Sequence, residues 1–302
     1  MAEPIEKALS MARFLELCEN ESGDGVRIVI IDSGAGGGLP VQDSVNLTQQ
    51  SIIDTENHGS IIHSIICHIL PEAEIYVVKV PDPLPDNILI TALKEAMEFQ
   101  PHAINLSITS EIPSDGTDPT STYVNHVSEK SLVAIAAGNG GPRLMSVGSP
   151  AVAEKALTVG ATDMRGRVWK RSSRGPTLDG RWKPNIVAPT GYTPPGLGSA
   201  AVGTSFSTPL ATALGAVLVK KLHNPQLAIK VVELTATSIP VSQPPHPALA
   251  GLRKAAALRQ LLDAWPRLTD PRNHCGMGLI NAWDAFQTAE FLTTAFSHQY
   301  KQ

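Results

Sequence analysis

The sequence predicts an α/β fold in three layers, a mostly parallel central sheet flanked by helices. Two patterns carry that expectation. Apolar, β-branched runs recur without polar alternation, as in strands buried on both faces of a parallel sheet. Between them lie segments of helical periodicity, and strand alternating with helix is the signature of parallel crossovers. A chain of 302 residues with 42% hydrophobic content can bury one large core.

The elements follow in order. Ile5, Ala8, Ala12, Leu15 and Cys18 recur at helical spacing, so a short amphipathic helix over 5–18 precedes the first strand. Residues 1–22 then read as an N-terminal helical extension on a main domain of 23–302. This extension is expected to be a plain packing helix, with a small latch as the alternative. Strands are predicted at 26–31, 75–80, 103–108 and 131–138, with another apolar run at 155–162. Helices are predicted at 58–70, 86–100 and 121–130. The stretch up to residue 202 is rich in turn residues, and helical segments follow near 205–222, 225–237, 252–264 and 281–297. A Pro-rich connection, SQPPHPALAG, occupies 242–251, and no internal repeat is present.

Composition narrows the function. A formal net charge of −4 supplies no global field for nucleic acid or an anionic membrane. The basic run Arg165, Arg167, Lys170, Arg171 and Arg174 reads as a solvated hairpin loop rather than an anion site. Three cysteines without a CxxC pair suggest neither a disulfide framework nor a zinc site. No apolar run reaches the roughly 18 residues of a membrane span, and the start lacks the basic-then-apolar order of a signal peptide. The expectation is a cytoplasmic protein with no nucleic-acid or membrane partner.

In open parallel sheets the site lies beyond the carboxyl ends of the strands, and four residues stand where that rule points. Asp32 directly follows the first strand, although an Asx turn would also explain it. His58 opens a helix. His63 and His68 follow at steps of five, which turns each side chain by about 140° and argues against a shared metal. Asn139 lies between glycines just past a strand, as a turn residue or as an amide donor aimed at negative charge. Ser205 stands in GTSFSTP, where Ser207 or Thr208 could cap a helix whose first turn holds Pro209. Capping leaves Gly203, Thr204 and Ser205 unexplained, whereas a helix start beside a hydroxyl favours a developing oxyanion. Together the four supply the parts of acyl transfer, in the chain order Asp, His, Ser.

These residues sit in motifs that resemble the subtilisin-like serine proteases, the subtilases, over roughly residues 24–290. GDGVRIVIIDSG, NHGSIIHSIICHILPEAEIYVVKV, INLSIT, VAIAAGNGG, SSRGP, KPNIVAP, GTSFSTPLATALGA and GMGLINAWDA occur in the family's order. The resemblance implies a single-domain subtilase fold and peptide-bond hydrolysis. Ser205 would be the nucleophile, His58 the base, Asp32 its orienting carboxylate and Asn139 the oxyanion amide. An extended substrate would pair with the cleft strands at Asn105, Leu106, Ser107, Ile108 and Thr109 and at Ala136, Ala137 and Gly138, with Thr204 beside the nucleophile. Gly148 resembles the small residue flooring the first specificity pocket.

The chain also departs from the family's pattern. Ile61 replaces the second His of its HGTH motif, with the bulkier Ile62 and His63 after it. Thr109 stands where the substrate strand usually carries Gly. Asn185 replaces the usual Asp, and Thr190 replaces the usual Gly after KPNIVAP. The short loops around the His helix leave no place for the calcium site of secreted relatives, so neither metal nor cofactor is expected, and Asp115 and Asp118 read as loop residues. The segment before the first strand is too short for the family's folding pro-domain. Control is then expected from a narrow peptide or protein substrate, as in leader-peptide proteases, or from an activating or inhibiting partner. The competing readings are a catalytically silent peptide-binding protein on the same fold and an esterase of another α/β fold, the latter disfavoured by the absence of a GxSxG elbow.

Overall fold

Seven strands form one parallel sheet in the spatial order β3-β4-β2-β5-β6-β7-β8. They are β2 (Arg27–Asp32), β3 (Asp43–Asn46), β4 (Glu74–Lys79), β5 (Ala103–Leu106), β6 (Leu132–Ala136), β7 (Leu157–Thr162) and β8 (Ile186–Pro189). A computed structural model describes residues 3–36, 38–110, 112–241 and 270–299. The predicted 252–264 helix and the 242–251 connection lie outside the described residues.

The unbroken apolar runs are buried on both faces, as their lack of alternation predicts. On one face Ile28 and Ile30 of β2 join a core with Ile62, Ile65, Ile66 and the long helix α6 (Thr204–Leu222). On the other, Val29 and Ile31 pack against α4 (Asp86–Glu98) and α5 (Pro119–Val127). Helix α6 is buried along most of its length, because its small residues Ala211, Ala213 and Ala216 let it lie directly on the sheet. At Gly215 a side chain would meet the Leu132 methyl groups at 2.8 Å, so Leu132 would have to move to admit one.

The order of the strands places the site. From β2 the chain crosses to β4 on one side, by way of α3 (His58–Ile69), whereas β5 and β6 continue to the other side of β2. The connections leaving the carboxyl ends of β2 and β5 therefore diverge, and a crevice opens at that switch point.

Several expectations need correction. The 5–18 segment is two helices, α1 (Ile5–Met11) and α2 (Phe14–Asn20), broken where Arg13 adopts φ 54°. The break lets Arg13 reach Asp284 at 2.7 Å, while the Ala12 carbonyl accepts the Ala282 N–H. The segment predicted as an extension is built into the domain: Ile5, Leu9, Phe14 and Leu17 are buried in the main core. A two-residue strand at its start, β1 (Glu3–Pro4), pairs with β9 (Tyr192–Thr193). The turn-rich region before residue 202 hides β8, whose burial among Pro and Asn residues masks its short apolar run. The basic run is not one surface: Arg165, Arg167, Lys170 and Arg171 are exposed, but Arg174 is buried, and burial lowers its pKa.

Candidate active site

Asp32 ends β2 and is buried, and His58 begins α3 opposite it. The His58 Nδ1 lies 2.7 Å from Asp32 Oδ1. The same oxygen accepts the N–H of the adjacent Ser33 at 2.8 Å, one residue on rather than the two of an Asx turn, so one carboxylate oxygen serves both the backbone and His58. Gly59 permits the approach: a side chain there would collide with the Gly34 carbonyl and sit 3.2 Å from Asp32 Cβ.

Asp54, in the loop before α3, ties these two elements together. It is buried and accepts hydrogen bonds from Ser33 Oγ at 2.9 Å, the Glu56 and Asn57 N–H groups, and the Ser60 N–H and hydroxyl. Burial raises its pKa, but these donors more than offset it and leave the carboxyl below its ordinary value. For His58, burial pulls the pKa down. The hydrogen bond and charge of Asp32, with smaller contributions from Asp54 and Glu56, carry it above the ordinary histidine value. The His58 ring also packs against Phe206, their centroids 5.4 Å apart.

The nucleophile candidate sits at the second position of α6, which begins at Thr204 rather than near Pro209 as the capping reading supposed. Ser207 Oγ instead donates to the Ala188 carbonyl at 3.0 Å, and Thr208 Oγ1 to the Thr204 carbonyl at 2.8 Å. The N–H groups of Thr204 and Phe206 have partners in Asn139 Oδ1 and the Gly203 carbonyl, so Ser205 has beside it the positive end of a 19-residue helix and its own N–H. Its Oγ donates to the Ser107 carbonyl at 3.2 Å, and no hydrogen bond joins it to His58 among the described residues. Catalytic hydrogen bonds are often long without substrate and tighten when it binds.

Asn139 stands across from this helix start. Its Oδ1 accepts the Thr204 N–H at 3.1 Å and the Thr204 hydroxyl at 3.3 Å, which leaves the amide Nδ2 to donate. Thr204 Oγ1 in turn accepts the Gly138 N–H at 3.1 Å, locking strand tip to helix start.

All four chemical residues line one cleft of about 810 Å³, together with Ser107, Ile108, Thr109, Ala136, Gly138 and Thr204. Four residues expected on the substrate path do not line it. Asn105 is fully buried and bonds Ser107 Oγ and Thr212 Oγ1, and Leu106 and Ala137 are core residues. Gly148 answers a packing need: any side chain there would run into the Ser110 and Ile112 carbonyls. Thr109, where the resemblance places Gly, donates to the Ser149 carbonyl at 3.2 Å.

The sequence reading missed Asp54, Phe206 and the cleft acids Glu56, Asp82 and Asp86. The polar DTEN loop was a signal for Asp54. The cleft acids come from separate loops and carry no local pattern.

The subtilase family model matches residues 42–245, and the chain belongs to that family. The match takes in His58, Asn139 and Ser205 and leaves Asp32 before it. The chain is 36% identical over 192 residues to pyrolysin of Pyrococcus furiosus, covering 49% of this chain and 14% of pyrolysin. It is 46% identical over 65 residues to the serine protease AprX of Bacillus subtilis, covering 19% of this chain and 15% of AprX. The chain thus spans about a seventh of each of these relatives. Among solved structures, the prenylagaramide maturation protease PagA superposes with a TM-score of 0.67 at 21% identity, over 91% of this chain and 98% of PagA. MycP1 from Mycobacterium smegmatis does so with a TM-score of 0.66 at 19% identity, over 93% and 84%. No described helix is long and apolar enough to cross a membrane.

Proposed function

We propose that this chain is a serine endopeptidase that hydrolyses a peptide bond in an extended peptide. Ser205 Oγ attacks the scissile carbonyl while His58 takes its proton and later returns it to the leaving amine. Asp32 holds the imidazole in the tautomer with Nδ1 protonated and stabilises the imidazolium. The Asn139 amide and the Ser205 N–H receive the oxyanion. The observation that carries this reading is the convergence of the Asp32–His58 pair, the free Asn139 amide and the Ser205 hydroxyl on one cleft.

A restricted substrate fits the reading, either a cytoplasmic protein or a precursor peptide of the kind the name of PagA implies. Free Cys18, Cys67 and Cys275 support a reducing compartment. A second reading, a silent peptide binder, takes its support from the Ser205 hydroxyl resting on the Ser107 carbonyl.

A fluorophosphonate, which reacts with activated serines, separates the two. Labelling mapped to Ser205 and lost in Ser205→Ala is the expected result. A folded protein that stays unlabelled in the presence of peptide would favour the silent binder.

A further inference from the structure

We propose that Thr190 positions the nucleophile turn by clamping Gly203, an inference that rests on the peptidase reading. Thr190 follows β8 and is buried, 1% exposed. Its hydroxyl donates to the Gly203 carbonyl at 3.0 Å and accepts the Gly203 N–H at 2.9 Å. One side chain thus engages both backbone groups of a single glycine.

That glycine is the critical one. Gly203 adopts φ 150°, immediately precedes α6 and stands two residues before Ser205. A side chain built on it would lie 3.6 Å from Asn139 Oδ1, so the turn runs against the oxyanion amide. The next N–H, of Thr204, is the one that Asn139 Oδ1 accepts. Glycine has more backbone freedom than any other residue, and the same freedom at this turn would move both Ser205 and the amide that faces it. A reacting group displaced by about 1 Å can lose a hundredfold in rate. The Thr190 hydroxyl removes that freedom without touching substrate.

The neighbouring bonds run the same way. The Gly191 N–H donates to the Ala201 carbonyl, and the Ala201 N–H to the Tyr192 carbonyl, both at 2.9 Å. Tyr192 OH donates to the Phe206 carbonyl at 2.5 Å. Residues 190–192 therefore brace the chain from Ala201 to Phe206. Where the resemblance places Gly at 190, such a side-chain clamp is chemically unavailable, so the device belongs to this chain's own sequence.

The test compares Thr190→Val, which keeps the shape and removes the hydroxyl, with Thr190→Ser, which keeps the hydroxyl. Fluorophosphonate labelling rate, kcat and KM on a cleaved peptide, and amide exchange at Gly203 and Thr204 are measured on folded protein. For Thr190→Val we expect kcat and the labelling rate to fall about ten- to a hundredfold with KM nearly unchanged, and the two amides to exchange faster. Thr190→Ser should restore all three. If Thr190→Val does not fold, Thr190→Ala, which introduces no extra bulk, takes its place. Wild-type rates and exchange in the hydroxyl-free variant would overturn the proposal, as would a Ser variant as impaired as Val. Wild-type protein that neither labels nor cleaves would sink the peptidase reading, while the amide exchange still decides whether Thr190 holds the turn.

Discussion

Ser107 and Ser205 exchange two hydrogen bonds. Ser107 Oγ donates to the Ser205 carbonyl at 2.9 Å, and Ser205 Oγ donates to the Ser107 carbonyl at 3.2 Å. Pro209 explains the first. It lies four residues after Ser205 inside α6 and has no N–H, so the Ser205 carbonyl lacks its helical partner and takes the Ser107 hydroxyl instead.

Ser107→Ala should therefore cost about 1–3 kcal/mol, because it takes the partner from both the Ser205 carbonyl and the buried Asn105 Nδ2. Adding Pro209→Ala supplies the missing N–H and should return part of that loss. Urea midpoints of the single and double variants check this. A double variant no more stable than Ser107→Ala would show that the carbonyl needs neither partner.

On the proposed mechanism the base sets the acid limb of activity. His58 must be neutral to accept a proton, and its pKa lies above the ordinary histidine value, so kcat/KM should rise with pH through a midpoint above about 6.5. Asp54→Asn removes one of the carboxylates that favour the imidazolium, so the midpoint should move to lower pH. A pH–rate profile that stays in place in that variant would remove Asp54 from the electrostatics of the base.

Glu56, Asp82 and Asp86 line the cleft together with Asp118, whose carboxylate already accepts from Ser114, Ser121 and Ser149, and no lysine or arginine is among the described lining residues. A peptide with Lys or Arg near the scissile bond should be cleaved faster than its Glu counterpart. Exposed pairs contribute about 0.2–1 kcal/mol each, so the three together amount to roughly tenfold or somewhat more, weakened by salt. Paired peptides assayed at low and high ionic strength measure this. Equal rates at low salt would rule out charge as a determinant of specificity.

How far the site could be read from the sequence depends on how local its chemistry is. Asp32, His58 and Asn139 stand at element boundaries that periodicity exposes, and β2, β5 and β6 are largely apolar runs without polar alternation. The start of α6 falls within one residue of the predicted 205, and the Ser-Thr-Pro string that imitates a capped first turn lies inside the helix, whose cap position is Gly203. Gly148 reads as a pocket floor, but a glycine beside a pocket and a glycine under a crossing backbone look alike in sequence, and this one lies against the Ser110 and Ile112 carbonyls. Asp54 and Thr190 act across 21 and 13 residues, to Ser33 and Gly203, and no local pattern reports such contacts.

The Asn at 185, just before β8, answers to a partner on a helix. Lys183 is buried, and burial depresses its pKa to about 7. Its Nζ donates to the Ala156 carbonyl and to Asn185 Oδ1, both at 2.9 Å. Asn185 Nδ2 donates to Glu233 Oε1 at 2.7 Å, so Glu233 on α7 (Pro225–Thr235) brings negative charge near this lysine, with Glu154 adding a smaller share. An Asp at 185 would set two carboxylates against each other. Asn185→Asp alone should cost about 1–3 kcal/mol, and Glu233→Gln should recover it, since the glutamine amide can donate to the new carboxylate. The pH dependence carries the sign. The unfolded lysine holds its proton to about pH 10.4 and the folded one only to about 7, so the unfolded state binds more protons between those values and stability should rise with pH across them. In the double variant the adjacent carboxylate raises the folded pKa, and that rise should shrink. Denaturation midpoints from pH 6 to 10 measure both effects. Asn185→Asp as stable as wild type, or a pH slope unchanged in the double variant, would show that Glu233 does not govern this position.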